Sequence, residues 1–215
     1  MTIKTLLFDL DGTLINTNEL IIASFLHTLE DYYPRTYSRE TVLPFIGPPL
    51  KETFATLDPE RAEEMMQMYR THNHLHHDAL VTEYEGVYDV LQELHAQGYK
   101  MAIVTTKIKK TALMGLALMK LDRFFDVVIG LDDVSSAKPD PEPIHLALER
   151  LGARREEAIM VGDNSHDIEA GKNAGVATAA VGWSVKGEAF VRSLNPDHVL
   201  EDMTDLYEIV GTRAQ

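Results

Sequence analysis

The chain has 215 residues, 45% apolar and 25% charged, the balance of a soluble globular protein with one substantial core, or a core plus a smaller insert. A formal net charge of −14 argues against a nucleic-acid partner, which needs a basic face, and requires any anion site to be made locally positive. There is no cysteine, so disulfides and thiolate metal sites are excluded; with no apolar run long enough for a membrane span and no leader-like start, a cytoplasmic protein with no membrane partner is expected.

Lys4 to Asp9 reads as the first strand, apolar without alternation, as in a strand buried on both faces. Asn18 to Tyr32 has helical spacing, with Leu20, Ile21, Ser24, Phe25, Thr28 and Leu29 on one side, and Pro34 stops it. Ser38 to Thr41 resembles a helix start. Phe45-Ile46-Gly47-Pro48-Pro49 must be a loop or tight turn. Pro59 to Leu75 reads as a further helix, with Met65, Met68 and Tyr69 as core. From Tyr84 onward helix and strand alternate strictly. Helices are expected at 87–97, 107–119, 140–151, 166–174, 186–194 and 203–210. Strands are expected at 100–106, 125–130, 158–163 and 176–182, with a short last one at 198–200. This rhythm predicts an α/β protein with a parallel sheet flanked by helices. Residues 16–82 break it, being helical only. They are read as an inserted helical domain, which leaves residues 1–15 and 83–215 as a discontinuous core, with linkers near Ile15–Thr17 and Ala79–Glu83.

Ligands of open parallel sheets bind beyond the carboxyl ends of the strands. Asp9 and Asp11 stand there after the first strand, in Asp9-Leu10-Asp11-Gly12-Thr13. Thr105 and Thr106 end the next strand, Asp132 and Asp133 follow the third, and Asp163 ends the fourth, with Asp167 four residues on and Lys138 in between. Each has a loop explanation alone; their convergence on one rim points to metal-assisted phosphoryl transfer. Asp9, Asp11 and Asp163 are hard oxygen ligands of the kind Mg²⁺ takes. One carboxylate can attack phosphorus, and a second, two residues away, can serve as acid and base. Thr105 and the backbone N–H groups of Leu10 to Gly12 can hold phosphoryl oxygens, and Lys138 can neutralise transition-state charge.

Asp9-Leu10-Asp11-Gly12-Thr13, the strand ending in Thr105, Lys138-Pro139 and Gly162-Asp163-Asn164-Ser165-His166-Asp167 resemble, in order and spacing, the four motifs of the haloacid dehalogenase superfamily. The resemblance covers the whole chain. It implies a Rossmann-like core and makes residues 16–82 an all-helical C1 cap. It implies that Asp9 is the nucleophile and that Asp11 is the general acid and base, its carbonyl on Mg²⁺. It makes Thr105 the phosphate-binding hydroxyl, Lys138 the charge-neutralising lysine, Asp163 the acidic metal ligand and Asp167 its support. An acid at Asp11 separates phosphatases from the superfamily's dehalogenases and transport ATPases. Around the insert, Leu14 to Ile21 and Phe45 to Leu50 are similar to the superfamily's inorganic pyrophosphatases, with phosphoglycolate phosphatases next. A small anionic substrate, pyrophosphate, is therefore expected. A sugar-phosphate mutase and a non-catalytic phosphate-binding regulator are the alternatives, and the second is disfavoured because Asp9, Asp11, Lys138 and Asp163 are all present.

Leu10, Gly12, Thr13, Thr106, Lys107 and Gly47 complete the expected substrate contacts, Lys107 at the leaving phosphate and Gly47 where a cap loop approaches. Lys109 and Lys110 read as a solvated helix face. His72 and His76, four apart, form a weak metal pattern outweighed by a solvated cap surface. His166 is not taken as a ligand. Trp183 and Ser184 are expected to pack behind the last core strand. No motif sets the oligomeric state.

Overall fold

The computed structural model describes residues 2–212. Its main sheet has six parallel strands in the order β5-β4-β1-β6-β7-β8. These are β1 (Thr5–Phe8), β4 (Lys100–Val104), β5 (Val127–Ile129), β6 (Ala158–Gly162), β7 (Ala177–Val181) and β8 (His198–Leu200). Every residue of β1 and β6 is buried. Successive side chains of a strand point to opposite faces. Leu6 and Phe8 therefore join a core with Leu91 and Leu94 of α5 (Val87–Ala96) and Ala112 and Leu116 of α6 (Lys109–Leu118). Leu7 joins the opposite core, with Ile144 and Leu148 of α7 (Glu142–Leu151) and Ala170 and Ala174 of α8 (Ser165–Ala174). Two apolar faces explain why the strand sequences do not alternate. α9 (Glu188–Ser193) packs on β7, and α10 (Asp205–Val210) joins the α5 side of the sheet, where the Val210 carbonyl accepts from the Tyr99 hydroxyl at 3.2 Å.

Between β1 and α5 the chain forms α1 (Asn18–Tyr32), α2 (Arg39–Val42), α3 (Leu50–Leu57) and α4 (Ala62–Leu80). This helical insertion has an apolar core of its own. Phe25 lies 4.8 Å from Tyr69, 5.5 Å from Phe45 and 5.6 Å from Phe54, centroid to centroid, with Ile22, Leu29, Val42 and Met65 around them. The anticipated side of α1 is buried. Of the three predicted core residues of α4, Met65 and Tyr69 are buried while Met68 is half-exposed.

Three corrections concern the insertion and its borders. The fourth helix starts at Ala62, because Asp58 accepts the free amides of Glu60 and Arg61 in a turn before it, and it runs to Leu80 rather than Leu75. The linkers are not bare: β2 (Ile15–Asn16) pairs antiparallel with β3 (Thr82–Glu83), a two-stranded ribbon tying both ends of the insertion together. Such short strands leave no periodic signal. Most predicted helix and strand ends elsewhere extend one or two residues too far, as at 100–106 against Lys100–Val104, where the strand-end residues turn outward into the site, while α8 starts one residue earlier than expected.

Candidate active site

β1 lies between β4 and β6, and Phe8 is level with Ile103 on one side and Val161 on the other. The residues that follow, Asp9, Thr105 and Asp163, therefore emerge together on one rim. The Asp9 amide donates to the Val161 carbonyl at 2.9 Å, and that of Thr105 to Ile129 at 3.0 Å, so both leave the sheet in fixed directions.

Lys138 reaches this rim from the loop after β5. Its ammonium is 2% exposed and donates to Asp9 Oδ1 at 2.9 Å, Asp167 Oδ1 at 2.5 Å and the Val104 carbonyl at 2.7 Å. All three of its protons have partners. Asp9, Asp163 and Asp167 bring one carboxylate oxygen each to within 4.8 Å of one another. Burial, outweighing the Lys138 charge and aided by Asp167 and Asp11, raises Asp9 to about 7. Burial, with Asp167 and Asp9, raises Asp163 well above the usual carboxylate value. Burial alone would lower Lys138, but Asp167 and Asp9 together raise it.

This donor set fits a hard divalent cation. Three buried carboxylates share one bonded ammonium, which leaves two negative charges uncompensated among them. Asp163 Oδ2 is buried with no hydrogen-bond partner, an expensive arrangement unless something else approaches it. Asp11 stands apart. Its carboxylate accepts from Lys107 Nζ at 2.7 Å and is not in the buried acidic cluster.

Gly12 has φ +76°, and a Cβ there would lie 2.6 Å from Asp163 Oδ2. Only glycine lets the turn pass this close to the acidic cluster. Gly12→Ala is expected to push Asp163 out of place and to cut turnover by about a hundredfold or more, the scale of a displacement near 1 Å. Steady-state phosphate release checks this, with circular dichroism reporting the fold.

Several expected contacts are revised. The Gly12 amide donates to the Ile15 carbonyl at 2.9 Å, closing the turn, so the fold already uses this member of the Leu10–Gly12 set. The Leu10 carbonyl accepts from Leu14 and Ile15 in the same turn. The Thr13 hydroxyl is buried without a partner, and the Thr13 carbonyl accepts from Trp183 Nε1 at 3.3 Å. Thr105 Oγ1 is turned to its own loop and accepts the Lys107 amide at 3.2 Å. Thr106 Oγ1 donates to the carbonyl of Gly47, tying down the insertion's loop. Asp132 and Asp133 are not in the acidic cluster: Asp132 takes the Lys109 amide, while Asp133 takes the Gly130 amide and pairs with Arg150 and Lys109. Lys109 is thus paired rather than simply solvated, and Lys110 is exposed yet lines the cavity. His166 lines the cavity too, half-buried, and burial lowers its pKa. Ser184 is buried and Trp183 half-buried, as expected.

Two residues were not anticipated. Asn164, 2% exposed, sits between the acidic cluster and the insertion: its amide N–H donates to Asp167 Oδ2 at 3.1 Å, while its side chain donates to the Ile46 carbonyl at 2.7 Å. Lys186 donates to the same Ile46 carbonyl at 2.8 Å. Its loop position carries no periodic or motif signal. Asn164 lies inside the fourth motif, and its place before a helix was the available clue.

The sequence profile of the haloacid dehalogenase-like hydrolases matches residues 6–181, from β1 through β7. The chain belongs to this family. Relatives within it include the pyrophosphatase PpaX of Halalkalibacterium halodurans, 61% identical over 215 residues, and that of Anoxybacillus flavithermus, 60% identical over 215 residues, each match covering 100% of both chains. Among solved structures, a haloacid dehalogenase-like hydrolase from Bacteroides fragilis superposes with a TM-score of 0.88 at 28% identity, covering 95% of this chain and 100% of that one. A haloacid dehalogenase-like family hydrolase from Streptococcus pneumoniae gives 0.85 at 28%, covering 96% and 98%. The family's α/β fold is thus the fold observed, and the chain is a phosphohydrolase of the haloacid dehalogenase-like family. No helix among the described residues is long and apolar enough to cross a membrane.

Proposed function

We propose that this chain is a Mg²⁺-dependent inorganic pyrophosphatase that works through a phosphoryl group carried on Asp9. The observation that carries the reading is the buried Asp9-Asp163-Asp167 cluster around Lys138, with one Asp163 oxygen left without a partner. Identity of 60–61% to PpaX pyrophosphatases along the full chain supports the substrate.

Asp9, Asp163 and the Asp11 carbonyl would hold the ion, with Asp167 in support. The bound cation would draw charge from the phosphoryl oxygens and screen Asp9 from an anionic substrate. Asp9 attacks phosphorus through a carboxylate oxygen, and the bond to the leaving phosphate breaks. An entering phosphate competes with Asp11 for the Lys107 ammonium; the Asp11 carboxylate so freed takes up a proton from solvent and passes it to the leaving oxygen. Water then attacks the aspartyl phosphate, Asp11 takes the proton back, and Asp9 is released with the second phosphate. Lys138 stays beside Asp9 throughout and offsets the negative charge that gathers on the attacked phosphoryl group. In this reading the Leu10 amide and the Thr105 hydroxyl, which accepts the Lys107 amide and still has its own proton to donate, complete the phosphoryl subsite, with the fully buried Thr13 behind the turn. Residues 16–82 act as the cap, hinged on the β2–β3 ribbon, and Gly47 reaches the cavity from it. The protein acts in the cytoplasm on a small phosphate compound.

A specific observation favours a second substrate class. The cavity above Asp9 is about 680 Å³ and its far wall includes Phe25, Phe45 and Leu50. That is room for more than pyrophosphate or the equally small phosphoglycolate, and the apolar side chains suit the organic part of a phosphomonoester better than a second phosphate, as a phosphomonoesterase would use. Phosphate release from pyrophosphate, phosphoglycolate and sugar phosphates, each with and without Mg²⁺, separates the two. Preference for phosphoglycolate would overturn the first reading.

The acidic cluster also predicts a pH dependence. Asp9 is raised from 3.8 to about 7 and Asp163 is raised with it. Between those values the metal-free native state holds more protons than the unfolded chain, so these groups stabilise it at low pH and lose that effect as pH rises through about 7. A divalent ion must displace the same protons. Mg²⁺ is therefore expected to raise the melting temperature more near pH 8 than near pH 5.5, relative to chelator. Equal shifts at both values would contradict the assignment of the ion to this cluster.

A further inference from the structure

Two consecutive carbonyls of the insertion's loop, those of Ile46 and Gly47, are held by side chains from three different loops of the sheet. Thr106, after β4, donates to the Gly47 carbonyl at 3.0 Å. Asn164, after β6, donates through Nδ2 to the Ile46 carbonyl at 2.7 Å. Lys186, after β7, donates to that same carbonyl at 2.8 Å and to Asn164 Oδ1 at 3.2 Å. A carbonyl has two lone pairs, and Ile46 has a donor for each. The loop is fitted to these partners: Gly47 has φ +111°, and a Cβ there would lie 2.2 Å from Asn164 Nδ2.

The arrangement has a direction. Asn164 is tied through its amide to Asp167, so the order of the acidic cluster is passed to the residue that grips the loop. Lys186 contributes the only charge in the grip. Its ammonium also lies 5.3 Å from the centre of the Phe190 ring on α9, which keeps it in place at the seam independently of the loop. A charged donor makes the stronger hydrogen bond, so most of the hold falls to Lys186.

We propose that Lys186 is a positioning residue that latches the 46–47 loop over the active site, and that this latch sets how well substrate is retained. It contributes no atom to the reaction. The proposal rests on the reading of residues 16–82 as a cap over a phosphohydrolase site. With the latch made, Ile46 and Gly47 form part of the cavity wall; without it, the side-chain hydrogen bonds to their carbonyls among the described residues come from Asn164 and Thr106 alone.

The test is Lys186→Met, which keeps the apolar stem and removes the ammonium, beside Lys186→Arg, which keeps a charged donor. Two quantities are read: hydrogen exchange of backbone amides in residues 43–50 without substrate, and KM and kcat for pyrophosphate with Mg²⁺. For Lys186→Met, exchange in 43–50 is expected to rise, KM to rise about tenfold as for one lost charged hydrogen bond, and kcat to stay within about twofold. Lys186→Arg should restore most of both. Unchanged exchange in Lys186→Met would overturn the latch. Faster exchange with unchanged KM would overturn its link to substrate retention. A fall in kcat at constant KM would place Lys186 in the chemistry instead. The exchange arm needs no substrate, so a wild-type enzyme silent on pyrophosphate would count against the substrate reading and leave the latch separately judged.

Discussion

Asp9→Asn abolishes turnover, by about 10⁴-fold or more, which corresponds to more than about 5 kcal/mol of lost transition-state stabilisation. An amide cannot take the nucleophile's role. Folding should not suffer. Burial and two neighbouring carboxylates, Asp167 and Asp11, already work against the charged form of Asp9, and Lys138 keeps Asp167 and the Val104 carbonyl as partners when the charge is removed. The variant is therefore expected to melt at or above the wild-type temperature near pH 8 in chelator, where Asp9 is ionised. Single-turnover phosphate release and thermal melting on the same preparation test both halves. Substantial residual turnover would remove Asp9 from the mechanism, and a large drop in melting temperature would make the loss a folding effect.

Lys138→Met has the opposite profile, because it injures fold and chemistry together. It leaves Asp9 and Asp167 buried without their shared ammonium, and it takes a donor from the Val104 carbonyl. Removing one partner of a buried ion pair costs about 3–5 kcal/mol. For a chain of this size that is a fall of about 6–20 °C in melting temperature. Turnover is expected to fall at least about a thousandfold, since the charge on the attacked phosphoryl group loses its fixed counter-charge. Added Mg²⁺ should recover part of the lost stability, by screening the same carboxylates, and little of the turnover. Melting curves with and without Mg²⁺, paired with the phosphate assay, read this out. A variant that melts like wild type would show that Lys138 does not carry the cluster's charge balance.

Much of the architecture is legible along the chain because it depends on local pattern. The apolar, non-alternating run at β1 reports burial on both faces, and Leu6, Leu7 and Phe8 divide between two cores. The helix at Asn18–Tyr32 lies where its spacing puts it. The ribbon of β2 and β3 is not legible, because two-residue strands are defined by distant partners, as Ile15 is by Glu83 and Asn16 by Thr82, and not by periodicity. The acid residues are legible as a set through their order and spacing, but their division of labour is not. Asp132 and Asp133 also follow a strand of the sheet, as Asp163 does, yet local amides and nearby cations take their carboxylates.

The same contrast holds at the site. The sequence by itself determined the residue types on the rim, the parallel α/β class and the place of the helical insertion, because strand burial, turn glycines and strand-end carboxylates are properties of short segments. Only the tertiary structure decided which groups meet. It pairs Lys107 with Asp11 and Lys138 with both Asp9 and Asp167, and it leaves Asp163 Oδ2 without a partner. It also sends Thr106, Asn164 and Lys186 to the insertion's loop rather than to the rim alone. The reason is physical. A side chain's partner in a buried site is set by the register of neighbouring strands and by where each loop turns, and those are fixed only when segments more than a hundred residues apart, such as Asp9 and Lys138, pack into one sheet.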